Sequence, residues 1–227
     1  TREARAAAKI NDPHVVRIFD HGSTSDGVPY IVMELLDGVT LQQRLTMGRL
    51  SVQQTLRIAE QVGRALDAAH RAGVIHRDVK PQNVFLLSGG DGLYAKLVDF
   101  GSALLRVPGA RRETSPNLLV GSPAYMSRDV LLDPEAVDAQ LDLWGLSATL
   151  YKCLTGSLPF MGKNVATVCA SIIDGRLRRP SRLREGLSPL FDAWFAKAFH
   201  IDPERRPRSG AELARSFREL VEATQPR

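Results

Sequence analysis

Two cysteines in 227 residues, Cys153 and Cys169, lie far from any CxxC or CxxH pattern. They cannot build a disulfide framework and read as small buried hydrophobes, which suits a reducing compartment. No apolar run approaches the roughly 18 residues that a membrane helix needs, and no signal peptide opens the chain. A cytoplasmic location and no membrane segment are therefore expected. Lysine is scarce: only Lys9, Lys80, Lys96, Lys152, Lys163 and Lys197 among 30 basic residues. The net charge of +5 reads as unblocky and as a solvated basic surface, so no nucleic-acid partner is expected. The motifs GxxxxGK[ST], HExxH and GxSxG are absent, which removes P-loop, zincin and nucleophile-elbow chemistry. Gly90-Asp91-Gly92-Leu93-Tyr94-Ala95 formally fits a dinucleotide loop, but it leads into a strand rather than a helix, so it reads as a hairpin turn.

What is present is an ordinary globular composition, 44% hydrophobic and 24% charged, enough for one large domain or two small ones. Residues 2–9 read as a helix stopped at Asn11-Asp12-Pro13. Strands are expected at 15–19 and 29–34 around the turn HGSTSDG, with helix from Gly38 onward. Ser51 and Gln54 form a capping-box signature for a long helix with Val52, Leu56, Ala59, Val62, Leu66 and Ala69 at helical spacing and Gly73 just past its end. Two short strands, 83–87 and 95–100, flank the turn SGGDG. Residues 101–135 read as one long irregular stretch, of the kind that is usually functional. From Asp138 the chain is helical, with 143–154 apolar nearly all round and hence buried. Ser188-Pro189 opens a helix with Leu190, Phe191, Trp194, Phe195 and Phe199 inward, and Ser209 with Glu212 marks a second capping box.

The chemistry concentrates in HRDVKPQN (76–83) and DFG (99–101). Both sit on loops flanking the two short strands. Asn83 and Asp99 can supply hard oxygen ligands to Mg²⁺ (or Mn²⁺), with phosphates completing the shell. Asp78 is then free to orient a hydroxyl and accept its proton, and Lys80 to neutralise charge on a moving phosphoryl group. That set suits phosphoryl transfer from a metal-bound nucleotide.

In order and spacing the two motifs resemble the catalytic loop and metal-binding loop of the eukaryotic-like serine/threonine protein kinases of bacteria. The resemblance implies an α+β, protein-kinase-like fold. Residues 1–36 would be part of the small lobe (the αC helix and its last strands) up to the hinge, 37–223 the mainly helical large lobe, and 224–227 a tail or linker start. It implies ATP as co-substrate, proteins bearing Ser or Thr as substrates, and autophosphorylation at Thr114 or Ser115, with Arg77 meeting the phosphate. YIVMELLDG resembles the hinge: Met33 becomes the gatekeeper and an apolar core residue, the Glu34 carbonyl and the Leu36 N–H face the adenine edge, and Phe85 lies beneath the base. Ser122 takes the substrate-side position, Asp142 braces the catalytic loop, and Glu3 is the αC glutamate.

The chain departs from the family in two places. Ala-Pro-Glu appears as Ser127-Arg128-Asp129, whose acid is one methylene short for its partner Arg206. Ahead of the hinge there is no G-x-G-x-x-G and no strand lysine, and Lys9 lies six positions from Glu3 on the wrong helical face. The sequence thus reads as a kinase domain cut just before αC, its true N-terminus expected upstream. Two alternatives stay open: a pseudokinase or binding scaffold on the same fold, and a fragment that folds but is inactive by itself.

Overall fold

A computed structural model describes residues 10–88, 92–100 and 123–225. The helix expected over 2–9 with Glu3 and Lys9, the tip of the SGGDG turn, and Thr114, Ser115 and Ser122 lie outside the described residues.

Two small sheets and a helical body make up the described chain. Strands β1 (Ile18–Ser23) and β2 (Pro29–Met33) pair antiparallel, with Ile18 opposite Met33 and Gly22 opposite Tyr30. The first strand begins three residues later than the 15–19 expected and runs through His21-Gly22-Ser23, which read as turn. The reason is tertiary. Val15 and Val16, both 3% exposed, serve the other sheet instead: the Val16 N–H donates to the Leu97 carbonyl at 3.0 Å, and the Leu97 N–H to that of His14 at 2.7 Å. Pairing with β2 then carries poor strand formers along. Met33, expected in the core, is 44% exposed at the end of β2, and Phe19, Tyr30 and Val32 of the same two-stranded sheet are also exposed, so neither face of that sheet is fully covered among the described residues.

Helix does not begin directly after Gly38 either. Residues Gly38–Thr40 form β3, which joins β4 (Val84–Leu87) and β5 (Ala95–Leu97) in an antiparallel sheet of order β3-β4-β5. Thr40 and Gln43 then make a reciprocal capping box on α1 (Leu41–Thr46). Helix α2 (Val52–Arg71) starts at the expected Ser51/Gln54 box and buries Leu56, Ala59, Val62, Leu66 and Ala69; Gly73 follows with φ 74°. Its Gln61 holds the hairpin, accepting from the Ala95 N–H at 2.6 Å and donating to the Leu93 carbonyl at 3.0 Å.

The stretch read as irregular to residue 135 contains a short helix, α3 (Arg128–Leu132), capped by Ser127. Helix α4 (Ala139–Thr155), capped by Asp138, is buried along nearly its whole length, as its all-round apolar pattern requires. Cys153 within it is fully buried, and burial pushes its thiol up to about 12, so it is chemically inert; Cys169 on α5 (Val165–Ile173) is only half-buried. Helix α6 (Leu190–Ala198) points Phe191 and Phe195 inward, but Leu190 is 51% exposed at its first turn. No described helix is long and apolar enough to cross a membrane.

Helix α7 (Gly210–Ala223) keeps half of its expected box. The Ser209 hydroxyl accepts from the Glu212 N–H, whereas the Glu212 carboxylate accepts from Arg208. Two other first-turn amides are met from α2: the Asp67 carboxylate takes the Gly210 and Ala211 N–H groups at 2.7 and 2.8 Å. This seat requires bare backbone, since a Cβ on Gly210 would stand 2.0 Å from the Gly63 carbonyl oxygen. Gly210→Ala is therefore expected to destabilise the fold by about 1–3 kcal/mol, as overpacking does. A denaturant midpoint unchanged from the parent would refute this close seat.

Candidate active site

Helix α2 delivers the chain to Val74, 1% exposed, which pins the start of the 76–83 loop in the core. The loop is then held from below by α4. The Asp142 carboxylate, 1% exposed, accepts the His76 N–H at 2.8 Å on one oxygen and the Arg77 N–H at 2.7 Å on the other. Its first oxygen also lies 2.7 Å from His70 Nε2. The bracing contact expected of Asp142 is thus made. Gly145, one turn on, lets the loop approach: a Cβ there would stand 2.7 Å from the Val79 carbonyl oxygen.

Arg77 (φ 70°) and Asp99 (φ 63°) are the non-glycine residues with positive φ among those described. Such conformations persist where the surroundings over-determine them, and they cluster at functional sites. Here Asp142 grips Arg77 by its amide. His76 links the two loops. Its Nδ1 accepts the Asp78 N–H at 3.3 Å, so the ring proton sits on Nε2 and is donated to the Val98 carbonyl at 2.9 Å. The ring packs edge-on against Phe100 at 4.7 Å.

The residues named from the sequence converge around these anchors. Lys80 Nζ donates to Asp78 Oδ2 at 2.6 Å, and Asn83 Nδ2 donates to the same oxygen at 3.0 Å and to the Asp78 carbonyl at 2.9 Å. With its nitrogen spent on Asp78, the Asn83 amide has its oxygen left as the ligating atom. The Val98 N–H donates to the Asn83 carbonyl at 2.9 Å, which brings Asp99, exposed, beside the same loop. Phe85 is half-buried on β4, opposite Thr40 and Lys96. Leu36 is half-buried against the core, beyond Glu34.

One group escaped the sequence reading. The Glu34 side chain is a clamp: its Oε1 accepts the Arg17 N–H at 2.8 Å and Lys96 Nζ at 2.6 Å, while the Glu34 N–H donates to the Arg17 carbonyl at 3.0 Å. Burial alone would raise this carboxyl. The Lys96 hydrogen bond, the Arg17 amide and the two positive charges outweigh it and bring the carboxyl below the ordinary glutamate value. A depressed value means the clamp contributes stability above about pH 4.5 and loses it as pH falls through the folded value. The signal was available in the pattern, because Lys96 alternates with buried Ala95 and Leu97 and so must share the Phe85 face.

The protein kinase domain matches residues 1–217. This chain belongs to the protein kinase family. Its relatives place it among the eukaryotic-like serine/threonine kinase domains of bacteria. It is 37% identical over 221 residues to the serine/threonine-protein kinase PknH of Mycobacterium bovis, covering 97% of this chain and 36% of that one. It is 40% identical over 206 residues to PknE of Mycobacterium tuberculosis, covering 90% and 35%. The chain therefore spans about a third of the length of these curated relatives. Among solved structures it is similar to Rad53 1–466 in complex with AMP-PNP, with a TM-score of 0.74, 25% identity, and 94% of this chain and 52% of that one covered. The fold is kinase-like, and family membership implies ATP and a divalent metal in general.

Within the family frame the short acid at Asp129 is no defect. Arg206, 3% exposed, reaches both Asp129 oxygens, at 2.5 and 3.3 Å. It also donates to the carbonyls of His200 and Ile201 and lies 4.9 Å over the Trp144 ring. The shorter acid therefore still completes the pair.

Proposed function

We propose that the protein transfers the γ-phosphoryl group of ATP to Ser or Thr hydroxyls of other proteins in the cytoplasm. The observation that carries this reading is the Asp78 carboxylate. Both of its described side-chain hydrogen bonds, from Lys80 and Asn83, fall on Oδ2, which orients Oδ1 as the acceptor for a substrate hydroxyl proton. Lys80 lies beside that position to steady the γ-phosphate. The Asn83 amide oxygen and the Asp99 carboxylate fit a hard cation, and the adenine edge is assigned to the Glu34 carbonyl and the Leu36 N–H, between Met33 and Phe85. Mg²⁺ or Mn²⁺ held there supplies charge neutralisation across the phosphates. Asp78 takes the proton as the hydroxyl oxygen attacks the γ-phosphorus, the bond from that phosphorus to the bridging oxygen breaks and ADP leaves, and Lys80 offsets the charge that develops. Thr114 and Ser115 are the sites proposed for autophosphorylation.

The test is labelled γ-phosphate transfer by the full-length protein, with a Ser/Thr protein substrate. Removing divalent metal with EDTA is expected to abolish transfer, and Mg²⁺ or Mn²⁺ to restore it. Metal-dependent ATP binding without transfer would instead favour the scaffold reading. That alternative rested partly on Ser127-Arg128-Asp129, and the completed Asp129–Arg206 pair removes that support.

The Glu34–Lys96 clamp gives a second expectation. Lys96→Met leaves a half-buried carboxylate on the hinge with one partner fewer. Hydrogen bonds to charged groups are worth about 1.5–3 kcal/mol, part of which water recovers at this depth. The KM for ATP is expected to rise about three- to tenfold with kcat unchanged. An unchanged KM would mean that the clamp does not hold the adenine-facing backbone.

A further inference from the structure

The basic residues are not evenly spread along the chain. Arg176, Arg178, Arg179, Arg182 and Arg184 fall within nine residues, in the connection from α5 to α6. Arg176 pairs with Asp174, whereas Arg178, Arg179 and Arg182 make no ion pair among the described residues. This connection borders a surface cavity of about 750 Å³, largely open to solvent, lined by Arg49, Leu50, Ser51, Gln54, Leu183, Arg184 and Glu185.

The lining is chemically lopsided. Ser51 and Gln54 bond each other's backbone N–H in the α2 capping box. The box spends the acceptors Ser51 Oγ and Gln54 Oε1, so the side-chain groups left to meet a ligand are mostly donors, namely two guanidiniums, the Gln54 amide nitrogen and the Ser51 hydroxyl, opposed by the exposed Glu185. Both guanidiniums are anchored from behind. Arg184 donates to the Leu50 and Leu154 carbonyls at 2.8 and 3.2 Å, and Arg49 donates to the Leu183 carbonyl at 3.1 Å and packs its stem on Gly156. These bonds use one terminal nitrogen of each group and leave other N–H donors of each fork to spare. Burial and the neighbouring Arg49 charge both hold Arg184 below the usual guanidinium value. Two like charges are thus fixed side by side next to the half-buried Leu183, with Leu50 buried in the core beneath. An anion placed between them relieves that repulsion and accepts from both forks.

We propose that this cavity and the arginine-rich connection beside it form a docking site for an acidic segment of a protein partner. A clustered carboxylate or a phosphate on the segment would sit between Arg49 and Arg184, an apolar side chain on Leu183, and flanking acids against Arg182. A peptide fits better than a nucleic acid, because no aromatic side chain lines the cavity to stack a base. The site is remote from the chemistry. It lies at the first turn of α2, whose last turn leads into the catalytic loop, and 20 residues of helix span about 30 Å. It can therefore hold one part of a protein while another part reaches Asp78.

Fluorescence anisotropy on the full-length protein, without nucleotide, tests this. Four labelled probes are compared: a glutamate-rich nonapeptide with a central leucine, a peptide carrying one phosphoserine and no other acid, the glutamine version of the first, and an RNA oligomer of equal charge. One or both anionic peptides are expected to bind, and which one does identifies the anion; the glutamine peptide is not. The double variant Arg49→Glu/Arg182→Glu, both exposed positions, is expected to weaken peptide binding at least tenfold while the thermal midpoint stays put. Binding that survives the double variant, binding of the glutamine peptide at equal strength, absence of peptide binding, or tighter binding of RNA than of peptide would each overturn the proposal. Because no ATP is present, a catalytically silent protein can pass and an active one can fail, so the outcome is separate from that for phosphoryl transfer.

Discussion

Replacing Asp78 by asparagine in the full-length protein is expected to lower kcat for phosphoryl transfer by about 10²–10⁴-fold, the range general-base groups contribute. The substitution is close to isosteric. The Asp78 side chain is about one quarter exposed, and its partners Lys80 and Asn83 both donate, so an amide oxygen can keep their hydrogen bonds. What it loses is the capacity to accept a proton. The KM for ATP should therefore stay within about twofold and the thermal midpoint should barely move. A rise in KM with kcat preserved would mean that Asp78 serves binding rather than proton transfer. Full transfer by the variant would remove Asp78 from the mechanism.

That expectation could be written down from the sequence because the catalytic loop is local. His76, Asp78, Lys80 and Asn83 lie within eight residues, and their spacing largely dictates their geometry. The long helices were readable for the same reason: α2 and α4 carry their caps and periodicities within themselves. What escaped reading depends on distant partners. Val15 and Val16 look like strand, but they serve Leu97, some 80 positions on, and not the hairpin. β3 is three residues long and exists only as an edge for β4. Met33 has the composition of core, yet its exposure depends on what covers the β1–β2 sheet. Lys96 looked like an ordinary surface lysine until Glu34 was brought within 2.6 Å of it. Likewise Asp67 is one more acid on an amphipathic helix until α7 arrives and its first two amides need an acceptor.

Asp142 is where distant packing and local chemistry meet, and Asp142→Ala is expected to cost about 3–5 kcal/mol of stability, as loss of a buried, fully bonded carboxylate does. The substitution strips the acceptor from two amides in the core side of the loop, His76 and Arg77, each worth about 1–3 kcal/mol when left unmade. It also frees Arg77 from the clamp on its left-handed backbone. A relaxed Arg77 changes the direction in which the chain enters Asp78, so catalysis should fall further than the fraction of folded protein does. Hydrogen exchange separates the two effects. With the protein held well below its lowered midpoint, the His76 and Arg77 amides should exchange much faster than in the parent, while those in the middle of α4 keep their protection. Uniform acceleration across α4 and the loop would show that Asp142 supports only the global fold. Unchanged exchange at His76 and Arg77 would show that the loop holds its shape without it.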